Sequence, residues 1–472
     1  MKTPRVAIFC LFALLSGCAA VGPNYQRPEL ETPLQWRESK EQAPIAPALE
    51  KTAWWQAFGD PLLNRLIAQA AKNNLDLEQA RARIKQARAA LVLAGAPGLP
   101  AVNAGGTVTR SAGSKNLLPT GSSTPTVYQA GFDASWEIDV FGGVRRSVEG
   151  AQAKLDASIE DLHATLLTLL GDVTKNYVDL RANQAQLQIT RHNLEIQQET
   201  VAVTRKRYQL GLTSSLEVAQ AEAQKATTES NIPTLEAASK QSIHRLGILL
   251  AREPNALKIE LLAERPLPKV EGLIATGLPS ELLHRRPDLR QAERQLAAAS
   301  ADIGVATAGL YPTFDLTLGL GLQASSASKF METSSRYWSI VPGISLPLLD
   351  GGKARANIAG KQAVFDENLA KYRSAYNSAL EDVENALTAY YAERAKHLLL
   401  VESVRVNEEA VATASERYRR GLTTFLDVLT TQQALYSAHS SLSQSDANQL
   451  TDLVSLYKAL GGGWDQTSTT PD

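Results

Sequence analysis

Two long stretches of uninterrupted helical sequence constrain the fold of this chain more than any other feature. No proline occurs between Gly143 and Gly211, or between Lys353 and Arg420. A helix of about 67 residues is about 100 Å long at 1.5 Å per residue, far longer than a globular helix. Two such helices favour a tube wall or a filament over an enzyme. In the first stretch, apolar residues recur in steps of three and four, the pattern of a coiled-coil seam: Ile159, Leu162, Leu166, Leu169, Val173, Tyr177 and Leu180.

The two stretches belong to a sequence duplication. Residues 207–218, RYQLGLTSSLEV, match residues 417–428, RYRRGLTTFLDV, at an offset of about 210 positions. Gly142-Gly143 recurs as Gly351-Gly352 at almost the same offset. The sequence therefore contains one unit twice, and each copy predicts the same order: helix, two strands, very long helix, tight turn, helix.

The duplication divides the chain into segments. We expect the first copy at 59–250 and the second at 279–460, joined by the proline-containing linker 251–278. Residues 18–58, rich in proline, are predicted to run extended over the body, and 461–472 to form a flexible tail. The resulting fold class is mainly α with a small β part. Strands are expected near 102–110, 127–139, 313–323 and 337–348, and the long helices near 144–210 and 353–420.

Three details of the shorter elements follow from local sequence. The first helix should begin at Asp60-Pro61 and run to about Ala94. Pro233 should kink or break the helix that follows the first tight turn. Pro342 and Pro347 weaken the last strand, which we expect near an interface or an end.

The predicted strands are amphipathic. In the second strand, Phe132, Ala134 and Trp136 share one face, and the intervening residues of the other face are polar or acidic. An apolar outer face and a polar inner face are what lipid and water require of a membrane barrel. The smallest such barrels need about eight strands, so four cannot close one. Several chains must therefore share a barrel, with eight strands from a dimer or twelve from a trimer.

The first residues resemble a targeting segment. Lys2 and Arg5 precede a short apolar stretch that ends at Cys18, the pattern of a lipoprotein signal peptide at 1–17. We expect a lipid on Cys18, and Ala19 favours the outer membrane; the alternative is an ordinary signal peptide cut nearby. Cys10 would be removed with this segment, so the mature chain would have no free thiol for a disulfide or a thiolate metal site.

Composition gives no indication of other ligands. The net charge of −1 gives no reason to expect nucleic acid as a partner. No apolar run of about 18 residues occurs in the body, so no membrane-spanning helix is expected there. The six histidines show no metal-binding spacing, and no nucleotide-binding or nucleophile motif occurs. We therefore expect no cofactor, no metal and no enzymatic activity.

Ordered motifs run through the whole mature chain. They are Val21–Tyr25, Trp54-Trp55 with Phe58–Asp60, Leu282–Glu293 with Arg285-Arg286-Pro287-Asp288 at its centre, Ile303–Ala306 with Tyr311-Pro312, and Ala459–Trp464. Together they resemble the TolC-like outer-membrane factors, most closely their lipidated OprM and NodT-type branch. The resemblance implies a homotrimer in which a twelve-stranded membrane barrel continues into an α-helical periplasmic barrel. It implies an efflux duct whose closed, periplasmic end meets an adaptor protein and a proton-driven inner-membrane pump.

The resemblance places a gate at the helical tips. Asp427 would form a ring of carboxylates at a constriction, attracting cations; the alternative is an acid that only stabilises a helix start. Many relatives carry a second acid three positions on, where this chain has Thr430. We therefore expect a weaker cation filter.

The resemblance also implies a latch between the tips. Tyr418 and Glu217 match positions that hold the tips together, but the family's arginine partner corresponds to Thr423. We expect Arg419 or Arg420 to replace it; the alternative for these residues is ordinary surface charge.

Two further groups of site residues are predicted. The tip turns would dock the adaptor, or serve only as turns: Arg207, Gly211, Leu212, Thr213, Arg417, Gly421, Leu422 and Thr423. The acids of the polar strand faces would line the barrel lumen, or be solvated: Asp133, Glu137, Asp139 and Asp315.

Other functions remain open at this point. A structural coiled-coil lipoprotein accounts for the long helices and the lipid but not for the amphipathic strands, and an envelope enzyme lacks a catalytic constellation. Within the duct class, drug efflux competes with metal export. Copper export would favour methionine ligands, and only Met331 would survive processing.

Overall fold

The computed structural model describes residues 20–38, 53–112, 125–270 and 279–463. The predicted signal peptide, Cys18 and most of the predicted tail lie outside these ranges. The described residues form two compact units. Unit one falls within Met1–Leu30, Ala82–Ile159 and Gln291–Ser374, and unit two within Glu31–Arg81, Glu160–Arg290 and Ala375–Asp472.

Unit one contains a four-stranded antiparallel sheet in the order β1-β2-β3-β4. The third and fourth strands come from the second sequence copy, so both copies build one sheet. Pro342 lies on β4, which is an edge strand and pairs only with β3 among the described residues. Proline has no backbone N–H, and an edge strand tolerates this because one side of it has no partner strand. The strands are β1 Ala101–Arg110, β2 Thr126–Glu137, β3 Thr313–Ala324 and β4 Arg336–Ser345.

The register of the strands separates an apolar face from a polar one. Leu320 pairs with Phe132 on one side and with Trp338 on the other, which places the three side chains in one row. All three are exposed, at 62%, 60% and 74% respectively. Asp133, Gly319 and Ser339 form the adjacent row on the opposite face. The predicted amphipathic strands are confirmed, and their apolar face is bare in the single chain.

Helices make up most of the described chain. The two long helices have 67 residues each, and each is followed by a helix of 35 residues, as a duplication requires. Their ends agree with the prediction to within one residue. None of the described helices combines the length and the apolar character needed to cross a membrane. The helices are α1 Pro61–Asn73, α2 Leu75–Gly95, α3 Gly143–Gln209, α4 Ser215–Leu249, α5 Lys258–Leu261, α6 Leu282–Arg285, α7 Pro287–Ala308, α8 Lys353–Arg419 and α9 Phe425–Ala459.

One expectation about the shorter helices is wrong. The predicted helix from Asp60 to Ala94 is interrupted at Asn74, whose extended backbone ends α1 and whose Oδ1 accepts the N–H groups of Asp76 and Leu77 at 2.8 and 3.1 Å. Pro233 does not break α4, which runs through it. A proline removes one main-chain hydrogen bond, and buried Thr228 and Ser239 keep α4 packed on either side of it.

The segment before the first copy and the linker between the copies are partly folded. Trp54–Phe58 forms a 3-10 helix, with Trp54 1% exposed and stacked on Tyr457 at 5.2 Å between ring centroids. In the linker, Leu261 is buried on α5 and its carbonyl accepts a hydrogen bond from Gln184 of α3 at 2.9 Å. Burial of apolar side chains therefore packs both segments against unit two.

Candidate functional site

The tips of the two helical hairpins are built alike. Gly211 follows the end of α3 and Gly421 that of α8, with φ angles of 71° and 73°, the left-handed region that glycine adopts without steric cost. In the first tip, Leu212 donates its N–H to the Arg207 carbonyl at 2.8 Å, and the second tip repeats this bond from Leu422 to Arg417 at 2.9 Å. This is a Schellman cap, which satisfies the last helical carbonyls and reverses the chain.

Below the turns, an apolar tip cluster joins the two hairpins. Tyr418 and Phe425 are at its centre, with ring centroids 5.7 Å apart and exposed fractions of 8% and 1%. The cluster contains Val201, Ala221, Ala414, Tyr418, Phe425 and Val428. Residues from α3, α4, α8 and α9 all contribute, so the two tips of one chain are held together by apolar burial.

A polar latch lies at the edge of this cluster. The Tyr418 hydroxyl donates to Glu217 Oε2 at 3.0 Å, and the Thr213 hydroxyl donates to the same oxygen. Burial, and then the bond to Glu217, raise the pKa of the Tyr418 phenol, so it remains a neutral donor at physiological pH. The predicted pairing of Tyr418 with Glu217 is thus present within the single chain.

The arginine at this latch is Arg207. Its guanidinium lies 4.6 Å from the centroid of the Tyr418 ring, a cation–π contact. Arg419 and Arg420 instead pair with Glu416, at 3.7 and 2.7 Å, on exposed helix surface. The sequence predicts only a docking role for Arg207, because residue spacing within one copy does not show a contact between the two copies.

Asp427 is exposed at the start of α9. Its Oδ2 accepts the Thr423 hydroxyl, the Thr424 hydroxyl at 2.8 Å and the Thr424 N–H at 3.1 Å. These bonds favour the charged form and lower the pKa of Asp427, with the Thr423 bond the largest cause. Within one chain, the carboxylate therefore caps the start of α9, and it remains exposed to solvent.

Leucines project from both tips into solvent. Leu212 and Leu422 are 62% and 63% exposed, and they stand at equivalent positions of the two copies. Leu216 and Leu426, again equivalent, are 63% and 55% exposed. Arg417 is exposed beside them. Each tip therefore exposes two leucine side chains next to charged residues.

Three of the four predicted lumen acids lie on the polar face of the sheet. Asp133 accepts a hydrogen bond from Asn103 at 3.3 Å, and Glu137 stands directly opposite Asp315. The prediction that Asp139 belongs to this strand face is wrong. The strand ends at Glu137, and Asp139 Oδ1 and Oδ2 accept the N–H groups of Val144 and Arg145 at 3.0 Å, because the start of α3 needs acceptors for its free donors.

The described residues contain no group of three or more His, Cys, Asp or Glu side chains arranged to hold a metal ion. The sequence of most of the chain instead matches a known family. The family model for outer membrane efflux protein matches residues 66–252 and 278–462. The chain belongs to the outer membrane efflux protein family. The resemblance drawn from the sequence motifs is confirmed.

Relatives of this efflux protein match along its whole length. Pyoverdine export outer membrane protein OpmQ of Pseudomonas putida is 36% identical over 479 residues, covering 100% of both chains. Nodulation protein T of Rhizobium leguminosarum bv. viciae is 34% identical over 469 residues, covering 98% of this chain and 94% of the relative. The solved outer-membrane channel OprN superposes with a TM-score of 0.90 at 33% identity, covering 94% of this chain and 100% of that one.

These findings establish the function in outline. The protein is an outer-membrane efflux channel component that passes small molecules outward, and its family consists of channel proteins rather than enzymes. Family members act in tripartite systems with a periplasmic adaptor and an inner-membrane pump. The predicted fold class, mainly α with four amphipathic strands, is confirmed.

Proposed function

We propose that three copies of this chain form one duct, each contributing its four strands to a shared twelve-stranded barrel. The bare apolar face carries this proposal. Phe132, Leu320 and Trp338 are all more than half exposed in the single chain, and β1 and β4 each pair on only one side within the described residues. Exposed strand edges and apolar faces are stable only when covered. In a shared barrel, β4 of one copy pairs with β1 of the next copy, and lipid covers the apolar face.

We propose that the hairpin tips dock a periplasmic adaptor, which links the duct to a proton-driven inner-membrane pump. The exposed leucines at equivalent positions of both tips support this, since they offer each tip the same apolar contact. A lipid on Cys18 would add a second attachment to the outer membrane. The native partners can be identified by cross-linking the tips in cells and sequencing the captured proteins; capture of no periplasmic adaptor would contradict the assignment.

We propose that the cargo consists of small organic molecules. Two relatives from Pseudomonas putida are named for pyoverdine export and for toluene efflux. A strain lacking this chain should retain such compounds and become more sensitive to aromatic solvents, and a plasmid copy should restore export. Unchanged tolerance to organic compounds together with new sensitivity to metal ions would favour metal export instead.

Asp427 is proposed to limit the closed pore. Carboxylates that surround a constriction attract cations and raise their local concentration there. Asp427→Ala should therefore reduce cation selectivity in planar bilayers and relieve block by divalent cations added from the tip side. Because Thr430 replaces the second acid of the family pattern, Thr430→Asp should deepen that block. If an intact Asp427→Ala oligomer shows unchanged cation selectivity and unchanged block, Asp427 does not limit the pore and only stabilises the start of α9.

A further inference from the structure

The segment just after the predicted lipidation site is held by a buried arginine of unit one. Arg146, in the first turn of α3, is only 4% exposed. Its Nε donates to the Val21 carbonyl at 3.0 Å, and its Nη2 donates to Asn24 Oδ1 at 2.7 Å. The same Nη2 lies 3.4 and 3.3 Å from the carbonyls of Ala20 and Gly22. One guanidinium therefore binds four acceptors within residues 20–24, which we name the strap.

The surroundings of Arg146 fit the strap closely. Val21 donates its N–H to the Phe141 carbonyl at 3.0 Å. A Cβ added to Gly22 would lie 2.5 Å from the Cα of Gly304 on α7, and a Cβ added to Gly304 would lie 2.7 Å from Arg146 Cγ. Both positions therefore have to be glycine for the strap to reach the arginine. The strap and α7 are therefore packed as closely here as a protein interior, with no room for a side chain at either glycine.

The fit continues beyond the glycine pair. The Tyr25 hydroxyl donates to Glu293 Oε1 at 2.6 Å, and Glu293 is 5% exposed. Arg294 donates to both oxygens of Glu293 and orients that carboxylate. The Tyr25 ring packs against a buried alanine cluster of Ala153, Ala297 and Ala298. The strap is thus fixed at two points, one at Arg146 and one at Tyr25.

The duplication provides an internal comparison. Arg355 stands in the first turn of α8, at the position equivalent to Arg146 when the two Gly-Gly pairs are aligned. Arg355 is exposed. Both helices start with an aspartate cap, Asp139 for α3 and Asp350 for α8. The starts of α3 and α8 are therefore built alike. Only Arg146, which contacts the N-terminal strap, is buried.

We propose that the Arg146 pocket is the docking site of the lipid-bearing N terminus, and that Arg146 is a positioning residue for the membrane anchor. This depends on the lipid at Cys18 proposed above. Cys18 precedes Ala20 by two residues, which is at most about 7 Å of chain. A docked strap therefore fixes the lipid beside the junction of β2 and α3. Acyl chains anchored there enter the bilayer at the helix-side end of the sheet and orient the sheet for insertion.

The first test measures strap docking in the full-length chain. A spin label on Pro23→Cys, an exposed strap position, should be immobilised in the parent protein. Arg146→Ala should raise the mobile fraction about tenfold or more, because the strap acceptors lose a buried charged donor. Arg355→Ala, the matched control, should leave the spectrum unchanged. Asn24→Ala with Tyr25→Phe, which leaves α3 intact, should release the strap like Arg146→Ala. A label that stays immobile in both variants overturns the docking site.

The second test separates positioning from folding. Trimer yield in the outer membrane is measured for Arg146→Ala in two backgrounds: the lipidated chain, and a Cys18→Ala chain behind an ordinary secretory signal. The proposal requires that Arg146→Ala lowers the yield in the lipidated chain and adds nothing in the unlipidated one, where no lipid remains to be positioned. An equal loss in both backgrounds overturns it, since Arg146 would then only stabilise the fold. Absence of palmitate label on the parent chain overturns the anchor itself, while leaving the efflux function and the spin-label result intact.

Discussion

Leu320→Arg is expected to abolish the outer-membrane trimer. Leu320 occupies the centre of the apolar row between Phe132 and Trp338, on the face that lipid would cover. An arginine on the lipid face of a barrel costs about 2–4 kcal/mol near the bilayer midplane. A threefold assembly incurs that cost three times. Heat-modifiable trimer on semi-native gels and single-channel conductance should both be lost.

Thr317→Arg is the matched control for this change. Thr317 lies on the same strand, pairs with Ser135 and Val341, and faces the opposite side of the sheet from Leu320. An arginine there meets water in the lumen, so the trimer should form and only its ion selectivity should change. If Leu320→Arg inserts and conducts like the parent protein while Thr317→Arg does not, the assignment of the two faces is reversed.

The double change Leu216→Asp with Leu426→Asp is expected to abolish export while leaving the trimer intact. Both leucines are exposed at the second position of their helices, α4 and α9, where an acid is favoured by the helix dipole. The fold should therefore tolerate the change. Burial of one leucine contributes about 1.5–3 kcal/mol, so loss of the pair should weaken adaptor binding about a hundredfold or more. Solvent tolerance in cells and adaptor binding to the purified protein measure the two effects.

Leu34→Asp with Ile259→Asp provides the control. These side chains are even more exposed, at 89% and 96%, and neither belongs to a hairpin tip. Export and adaptor binding should be unaffected by this pair. Equal loss of export in both double variants would show a general effect of added charge, and full export by the tip variant would exclude the leucines as docking residues.

The long helices could be predicted to within a residue because their signals are local. A proline-free seam in three- and four-residue steps, bounded by Gly143 and Gly211, defines both ends without reference to the rest of the chain. The strands were predictable for the same reason, since alternation along β3 assigns each side chain to a face. Because the unit is duplicated, each of these local signals occurs twice in the chain.

Elements decided by tertiary contact could not be predicted in this way. Asn74 breaks the first helical segment because its side chain caps α2 while its Nδ2 donates to the Leu249 carbonyl, a partner distant in sequence. The 3-10 helix at Trp54 forms because Tyr457 covers its indole. Sequence patterns within the segment contain neither partner.

The candidate site shows the same division. The glycine turns follow from the motif repeated in each copy, and the Tyr418–Glu217 pair follows from the family resemblance. The position of Arg207 over Tyr418 depends instead on how the two copies pack. The alternation of side chains predicts a strand position for Asp139. In the structure its carboxylate instead accepts the free backbone N–H groups at the start of α3. Arg146 gave no sequence signal, since its exposed counterpart Arg355 follows the same pattern.

The shared barrel is tested most directly by the native mass of the complex released from lipid nanodiscs. We expect one dominant species with the mass of three mature chains, because three four-stranded sheets close a twelve-stranded barrel. A species of two chains would correspond to an eight-stranded barrel and would contradict the trimer. A stable single chain with its sheet intact would contradict the shared barrel altogether.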